Sequence, residues 1–325
     1  MNIEIVTTAN EGLKETGFGS LKACKSVFDS MVKAGYAVNL NLCVSREDLD
    51  EIVARQPSLV VLAVKYIPLD NENDIWLADY FADHGINFTG SSRDVLDFDS
   101  NKVSAKDHLS AKGIATARYF TAIPGQYKNE HELPITFPLF LKPLDAANGN
   151  GVDDSSFVTN FLEFEAKIAS LDKEFNHPTL VEEYLPGREF TVAIIQASNN
   201  QLLVSPIELV PPESKNGLRI LGAKVKKDDS EELRKIDDDA IKTRVKALAI
   251  ECFVHLGVRD YGRIDILADK SGQCFFIEAN LVPGMTSGSS YFPLACEIEH
   301  QLTYDEVVNL IIEQGLSRAG QESLG

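Results

Sequence analysis

Gly262-Arg263-Ile264-Asp265-Ile266-Leu267-Ala268, then Asp269-Lys270-Ser271-Gly272, then Gln273-Cys274-Phe275-Phe276-Ile277-Glu278-Ala279-Asn280 reads as two strands around a turn. With Ser271-Gly272 as a two-residue loop, Lys270 faces Gln273. Counting outward sets Asp265 opposite Glu278 and Arg263 opposite Asn280. Side chains alternate along a strand, so Ile264, Ile266 and Ala268 share one face with Phe275, Ile277 and Ala279. The other face gathers Arg263, Asp265, Glu278 and Asn280. Two carboxylates and a side-chain carbonyl form an all-oxygen site of the kind magnesium prefers. Arg263 beside them suits developing negative charge on a transferred group. A structural salt-bridge network at a sheet edge gathers the same residue types, and the stretch alone leaves both readings open.

Three further segments have polar groups that suit nucleotide or carboxylate. Residues 137–143 form an apolar strand that contains Lys142, and the loop beyond it has two Asn-Gly pairs, Asn148-Gly149 and Asn150-Gly151. Glycine-rich backbone approaches phosphate closely and the lysine adds a point charge, although Asn-Gly is also an ordinary turn signal. Glu182-Glu183-Tyr184-Leu185 runs through Pro186-Gly187 to Glu189. Backbone on such a connection can pair with a flat base and Glu189 can accept from ribose hydroxyls; an acidic hinge is the alternative. Residues 283–290 open a short helix, with Ser289 and Ser290 near its start. Exposed N–H groups and hydroxyls there suit a carboxylate, or simply cap the helix.

The whole chain narrows the choice of class. Its 325 residues allow two or three domains, and 44% hydrophobic with 25% charged residues is ordinary for a soluble globular protein. A formal net charge of −18 disfavours a sequence-independent grip on nucleic acid. The apolar run 59–64 is too short to cross a bilayer, and the N-terminus does not read as a signal peptide, so a cytoplasmic location is expected. Five scattered cysteines without a C-x-x-C pair argue against disulfide or zinc frameworks. The acidic run 228–239 suits a partner site or, as the favoured reading, a solvated loop and helix start.

Residues 1–98 alternate strand-like runs (3–7, 37–44, 59–64) with helix-like stretches (21–34, 75–84), which predicts a parallel sheet in an α/β domain. Two more α/β-like regions follow, 99–187 and 188–325, the last ending in an amphipathic helix near 304–313.

Taken together and in this order, Gly262-Arg263-Ile264-Asp265, Glu278-Ala279-Asn280 with Pro283-Gly284-Met285-Thr286, and residues 182–192 resemble the D-alanine:D-alanine ligase branch of the ATP-grasp superfamily. Weaker matches lie at Thr89-Gly90-Ser91 and near Asp99 to Lys102, and the likeness spans roughly 85–325. The resemblance implies an N-terminal Rossmann-like parallel-sheet domain (1–98) and two α+β domains (99–187 and 188–325) that clasp ATP. It implies an ADP-forming ligase that activates a carboxylate as an acyl phosphate and joins it to an amine. Lys102 and Lys142 look like the phosphate lysines, and Asn148, Gly149, Asn150 and Gly151 like the lid. Glu182, Glu183, Tyr184 and Leu185 look like the adenine connector, with Glu189 at the ribose. Asp265, Glu278 and Asn280 look like ligands of two magnesium ions, with manganese as an alternative. Arg263 looks like the group that stabilises the tetrahedral intermediate, and Ser289 and Ser290 stand where the family holds the acceptor carboxylate. The expected partners are small-molecule carboxylate and amine substrates, without nucleic acid or membrane; a homodimer is left open.

The chain also departs from the family pattern. The family's N-terminal glutamate corresponds to Glu11 or Glu15, its lid serine falls at Asn148, and its lysine–tyrosine pair aligns with Lys224-Val225. Two members of the implied donor network are therefore replaced, which predicts a donor other than D-alanine, while the retained Ser289, Ser290 and 283–286 turn predict an amino acid acceptor. The alternatives are a D-alanine:D-alanine ligase with an atypical donor pocket and a non-catalytic ATP-binding regulator.

Overall fold

Apolar runs too short for helices, set between amphipathic stretches, build the first sheet. The computed structural model describes residues 1–9, 17–69, 73–144, 149–197, 201–214 and 217–322. Strand β1 (Asn2–Thr7), helix α1 (Leu21–Lys33), β2 (Ala37–Leu42), α2 (Arg46–Ala54) and β3 (Leu59–Leu62) follow in order. β1 lies between β2 and β3 and runs parallel to both, the α/β arrangement expected. The stretch 75–84, expected as one helix, divides: β5 (Ile75–Trp76) pairs with β4 (Tyr66–Ile67), and α3 (Leu77–Asp83) follows. A β-branched and an aromatic residue suit the ribbon better than a first helical turn.

Helices α4 (Arg93–Ser100) and α5 (Lys102–Ala111) carry the chain onward. The Asn101 side chain caps α5 by accepting from Ser104 N at 3.0 Å, which makes Lys102 the first helical residue. The central unit holds β6 (Tyr119–Ala122), β7 (Leu139–Pro143), β8 (Phe157–Val158), α6 (Phe161–Phe175) and β9 (Thr179–Glu183), with antiparallel order β6-β9-β7-β8. Strand alternation sends Leu139 and Leu141 to a core with Phe164, Ile168 and Leu171 of α6. The opposite face carries Phe140 and Lys142, with Glu182 directly across from Phe140.

The third unit comprises β10 (Gly187–Gln196), β11 (Leu202–Val210), α7 (Ala223–Lys227), β12 (Glu232–Lys235), α8 (Asp239–His255), β13 (Tyr261–Asp269), β14 (Cys274–Asn280), α9 (Tyr291–His300) and α10 (Tyr304–Glu322). Its five strands run β12-β11-β10-β13-β14, all antiparallel. The acidic run 228–239, expected as loop and helix start, thus contains the edge strand β12; charged side chains suit such an edge. α10 returns to the first unit, where Arg318 donates to the Phe88 carbonyl while also meeting Asp260, just before β13. The first and third units share one hydrophobic core that includes Ala105 and Leu109 of α5, whereas the central unit has its own. No helix among the described residues is long and apolar enough to cross a membrane.

Candidate active site

The β13–β14 hairpin sets Arg263 opposite Asn280 and Asp265 opposite Glu278, as the sequence predicts. The route to that register differs from the expected one. Asp269 N donates to Gln273 O at 2.9 Å, so the loop has three residues, and Gly272 takes the left-handed conformation at φ 80. A β-bulge beyond Asp265 then pairs Ile266 with Phe276 and Ala268 with Cys274. The two single-residue offsets cancel at the charged cluster. They also correct the expected core face, which holds Phe276; Phe275 and Ile277 are only partly buried and line a cavity with it.

Within the cluster, Arg263 grips Asp265 through two bonds, Nε to Oδ1 at 3.0 Å and Nη2 to Oδ2 at 2.9 Å. Thr191 on the neighbouring β10 donates its hydroxyl to Asp265 Oδ1 at 2.6 Å. Lys102 Nζ lies 3.7 Å from Glu278 Oε2. Burial pushes the Glu278 carboxyl up, but Lys102, Lys226, Lys142 and Arg263 outweigh it and hold the pKa at about 2.

A second buried charge group lies on the facing sheet of the central unit. Glu182, expected at the adenine connector, sits on β9 clamped between Lys106 at 2.6 Å and Lys142 at 2.8 Å. Burial opposes its charge, yet the two lysines hold it at about 2. Burial also opposes charge on Lys142, but Glu182 and Glu278 raise its pKa, while desolvation lowers that of Lys106 despite Glu182. Lys106 was missed in the sequence although it lies one helical turn beyond Lys102, where the two share a face.

Between these sheets lies a cavity of about 680 Å³, lined by Lys102, Lys142, Glu182, Glu189 and Glu278 together with connector residues Glu183, Tyr184 and Leu185. The N–H groups of Glu183 and Tyr184 donate to Arg118 O at 2.9 Å and Pro138 O at 3.1 Å, which turns them away from any base. The Glu183 carboxylate is engaged by Arg118 Nε at 2.8 Å. Burial, with Asp265 and Glu278 nearby, pushes Glu189 up to about 7 against the opposing effect of Lys226. At the rim, Ala223 N donates to Gly149 O at 3.1 Å, joining the loop after Lys142 to the start of α7. Gly149 lines the cavity, Asn150 is exposed, and Gly151 packs near Pro143 and Phe175. Asn148 lies outside the described residues.

A smaller cavity of about 260 Å³ joins the first at Lys102, Lys226 and Glu278, and brings in Arg263, Asn280, Ser289 and Ser290. Ser290 Oγ accepts from Thr286 N at 2.8 Å, fixing the turn before α9. Lys224 is exposed and lines neither cavity; two residues on, Lys226 lines both, because residues two apart on a helix point apart. Glu11 and Glu15 lie outside the described residues. Lys65, paired with Asp99 at 3.1 Å, and the Glu231–Tyr291 pair also line this cavity. Sequence spacing gave no signal for Lys65, Glu231 or Tyr291, which come from separate loops and a helix start.

Asp265, Glu278 and Asn280 offer only oxygen-donor side chains for a metal, and Glu278 opens onto both cavities. That chemistry fits magnesium, which keeps water and phosphate among its ligands and needs few from protein. Asp265 also carries lone pairs beyond those engaged by Arg263 and Thr191.

Two sheets closing on a lysine-lined cavity, with a carboxylate hairpin at one end, define an ATP-grasp fold. Solved structures agree: D-alanine--D-alanine ligase from Bacillus anthracis aligns with TM-score 0.74 at 21% identity, covering 99% of both chains. The same enzyme complexed with ATP aligns with TM-score 0.73 at 21% identity, again over 99% of each chain. Among relatives, D-alanine--D-alanine ligase of Marinomonas sp. (strain MWYL1) is 29% identical over 307 residues, 93% of this chain and 92% of that protein. The Trichlorobacter lovleyi enzyme of that name is 28% identical over 239 residues, 73% and 72% of the two chains. The family described as "D-ala D-ala ligase C-terminus" matches residues 109–313. The chain belongs to that family.

Proposed function

We propose that this ATP-dependent, ADP-forming carboxylate–amine ligase joins an amino acid acceptor to a carboxylate donor other than D-alanine through an acyl phosphate. The reading takes residues 1–98 as the substrate-side domain, 99–187 as the lid-bearing domain and 188–325 as the catalytic domain. The observation that carries it is the meeting of two cavities at Glu278, Lys102 and Lys226, with Arg263 in the smaller one. ATP in the larger cavity would then direct its terminal phosphate to a carboxylate in the smaller.

A carboxylate is a poor electrophile, so phosphoryl transfer to it must precede attack by an amine. Lys102 and Lys142 offset charge on the transferred group. Asp265, Glu278 and Asn280 are assigned to two magnesium ions, which when bound supply further charge neutralisation at phosphoryl oxygens. Arg263 is assigned to the oxyanion that forms when the amine attacks. Glu189 is placed at the ribose and Leu185 at the base. Closure of the loop containing Gly149 over α7 would exclude water, which otherwise hydrolyses an acyl phosphate.

The donor assignment rests on Val225, which has no hydrogen-bonding group, at the position where the family resemblance expects a tyrosine. The names of the relatives favour a second reading, synthesis of D-alanyl-D-alanine. A screen of acid and amino acid pairs, read by phosphate release and product mass, decides between them. The first reading predicts a mixed product under competition; D-alanyl-D-alanine as the preferred product contradicts it.

A further inference from the structure

The smaller cavity is lined by four cationic side chains, Lys65, Lys102, Lys226 and Arg263, and four carboxylates, Asp99, Asp229, Glu231 and Glu278. Such balance suits a dipolar ligand better than a simple anion. Several of these charges already answer one another: Lys65 with Asp99 at 3.1 Å, Lys102 with Glu278 at 3.7 Å, and Arg263 with Asp265 at 2.9 Å. Glu231 differs. Among the described residues no lysine or arginine forms an ion pair with it. Its Oε1 accepts the Tyr291 hydroxyl, while Oε2 is buried without a hydrogen-bond partner. A carboxylate has room for about four donors, and a desolvated oxygen left without one is costly.

Tyr291 is the first residue of α9 and directly follows Ser289 and Ser290 in the same cavity wall. The helix start therefore offers N–H groups and hydroxyls to a carboxylate, while its first side chain holds Glu231. The Arg263 guanidinium lies 5.6 Å from the Tyr291 ring centre and steadies it.

We infer that Glu231, set in place by Tyr291, anchors the ammonium group of an amino acid whose carboxylate lies at the start of α9. The carboxylate end rests on the ligase reading above; the ammonium end is a separate assignment. An ammonium group brings three donors and a positive charge, the complement of what Glu231 lacks, and it gives up one proton to that carboxylate before the free amine attacks. Glu231 is a specificity-determining residue on this account, and Tyr291 a positioning residue.

Calorimetric titration tests the assignment with wild type, Glu231→Gln and Tyr291→Phe, each with magnesium and a non-hydrolysable ATP analogue. The ligands are free D- and L-amino acids, D-alanine among them, and the matching desamino acids, such as propionate for alanine. Wild type is expected to favour an amino acid over its desamino partner. Glu231→Gln weakens that amino acid roughly 10- to 100-fold and leaves the desamino acid unchanged, so the preference collapses. Tyr291→Phe gives a smaller loss in the same direction, because the carboxylate remains but loses its orientation. Unchanged binding of the ATP analogue shows that both variants are folded. Amino acid affinity and preference unaltered in both variants overturn the assignment, as does failure of every amino acid to bind wild type. Glu231-dependent amino acid binding without phosphate release from ATP would sustain the anchor and reject the ligase reading alone.

Discussion

Glu278 is the side chain on which both cavities converge, and its charge is held by cations rather than by solvent. Glu278→Gln keeps its shape and removes that charge. Phosphate release is expected to fall by roughly 10²-fold or more, with thermal unfolding still cooperative and near the wild-type midpoint. Near-normal turnover with unchanged magnesium dependence would contradict the metal assignment. Glu189 gives a pH signature of the opposite kind to an ion-paired acid. Its pKa is raised from 4.5 to about 7, so between those values the folded chain holds a proton that the unfolded chain has released. Its contribution therefore favours folding below pH 4.5 and is lost as pH rises to 7. Denaturant titrations in metal-free buffer check this: Glu189→Gln should gain stability relative to wild type as pH goes from 5 to 8. A constant difference would count against it. Much at this scale was legible in the sequence, because Arg263, Asp265, Glu278 and Asn280 lie on one hairpin, where period-two alternation decides which side chains meet. The clamp on Glu182 was not legible, because Lys106 and Lys142 reach it from a helix and a strand far apart in sequence.

The hairpin shows how an element can deliver the expected contacts by an unexpected path. Neither the three-residue loop nor the bulge is written in the apolar pattern, since Phe275, Phe276 and Ile277 form an unbroken run that fits either register. Helix α7 was harder still, with three lysines among its five residues that differ only in direction. The start of β10 carries a sharper constraint. Gly187 sits against β13, where an added Cβ would lie 1.8 Å from the Ala268 carbonyl oxygen. Backbone cannot yield there without breaking the ladder between the connector and the hairpin. Gly187→Ala is expected to destabilise by about 2 kcal/mol, within the usual range for overpacking. Because Gly187 also lines the larger cavity, nucleotide affinity should fall with it. Thermal unfolding and nucleotide titration check both effects, and a wild-type midpoint would show that the strands part more easily than this packing implies.

Across the molecule, the shared core of the first and third units and the separate core of the central one leave the larger cavity between two sheets. The parallel α/β start was readable from alternating apolar runs. The meeting of Lys65, Glu231 and Tyr291 was not, because sites assembled from distant loops leave no local period. The central claim concerns chemistry where the two cavities join, at Glu278, Lys102 and Lys226: the donor's own carboxylate oxygen attacks the terminal phosphate before the amine arrives. Oxygen labelling tests this most directly. A donor acid carrying ¹⁸O in both carboxylate positions is incubated with ATP, magnesium and its amine partner, and the released phosphate is examined by mass spectrometry. The account predicts one ¹⁸O transferred to phosphate for each amide bond formed, with ADP as the nucleotide product. Amide formation with unlabelled phosphate, or AMP in place of ADP, would contradict it.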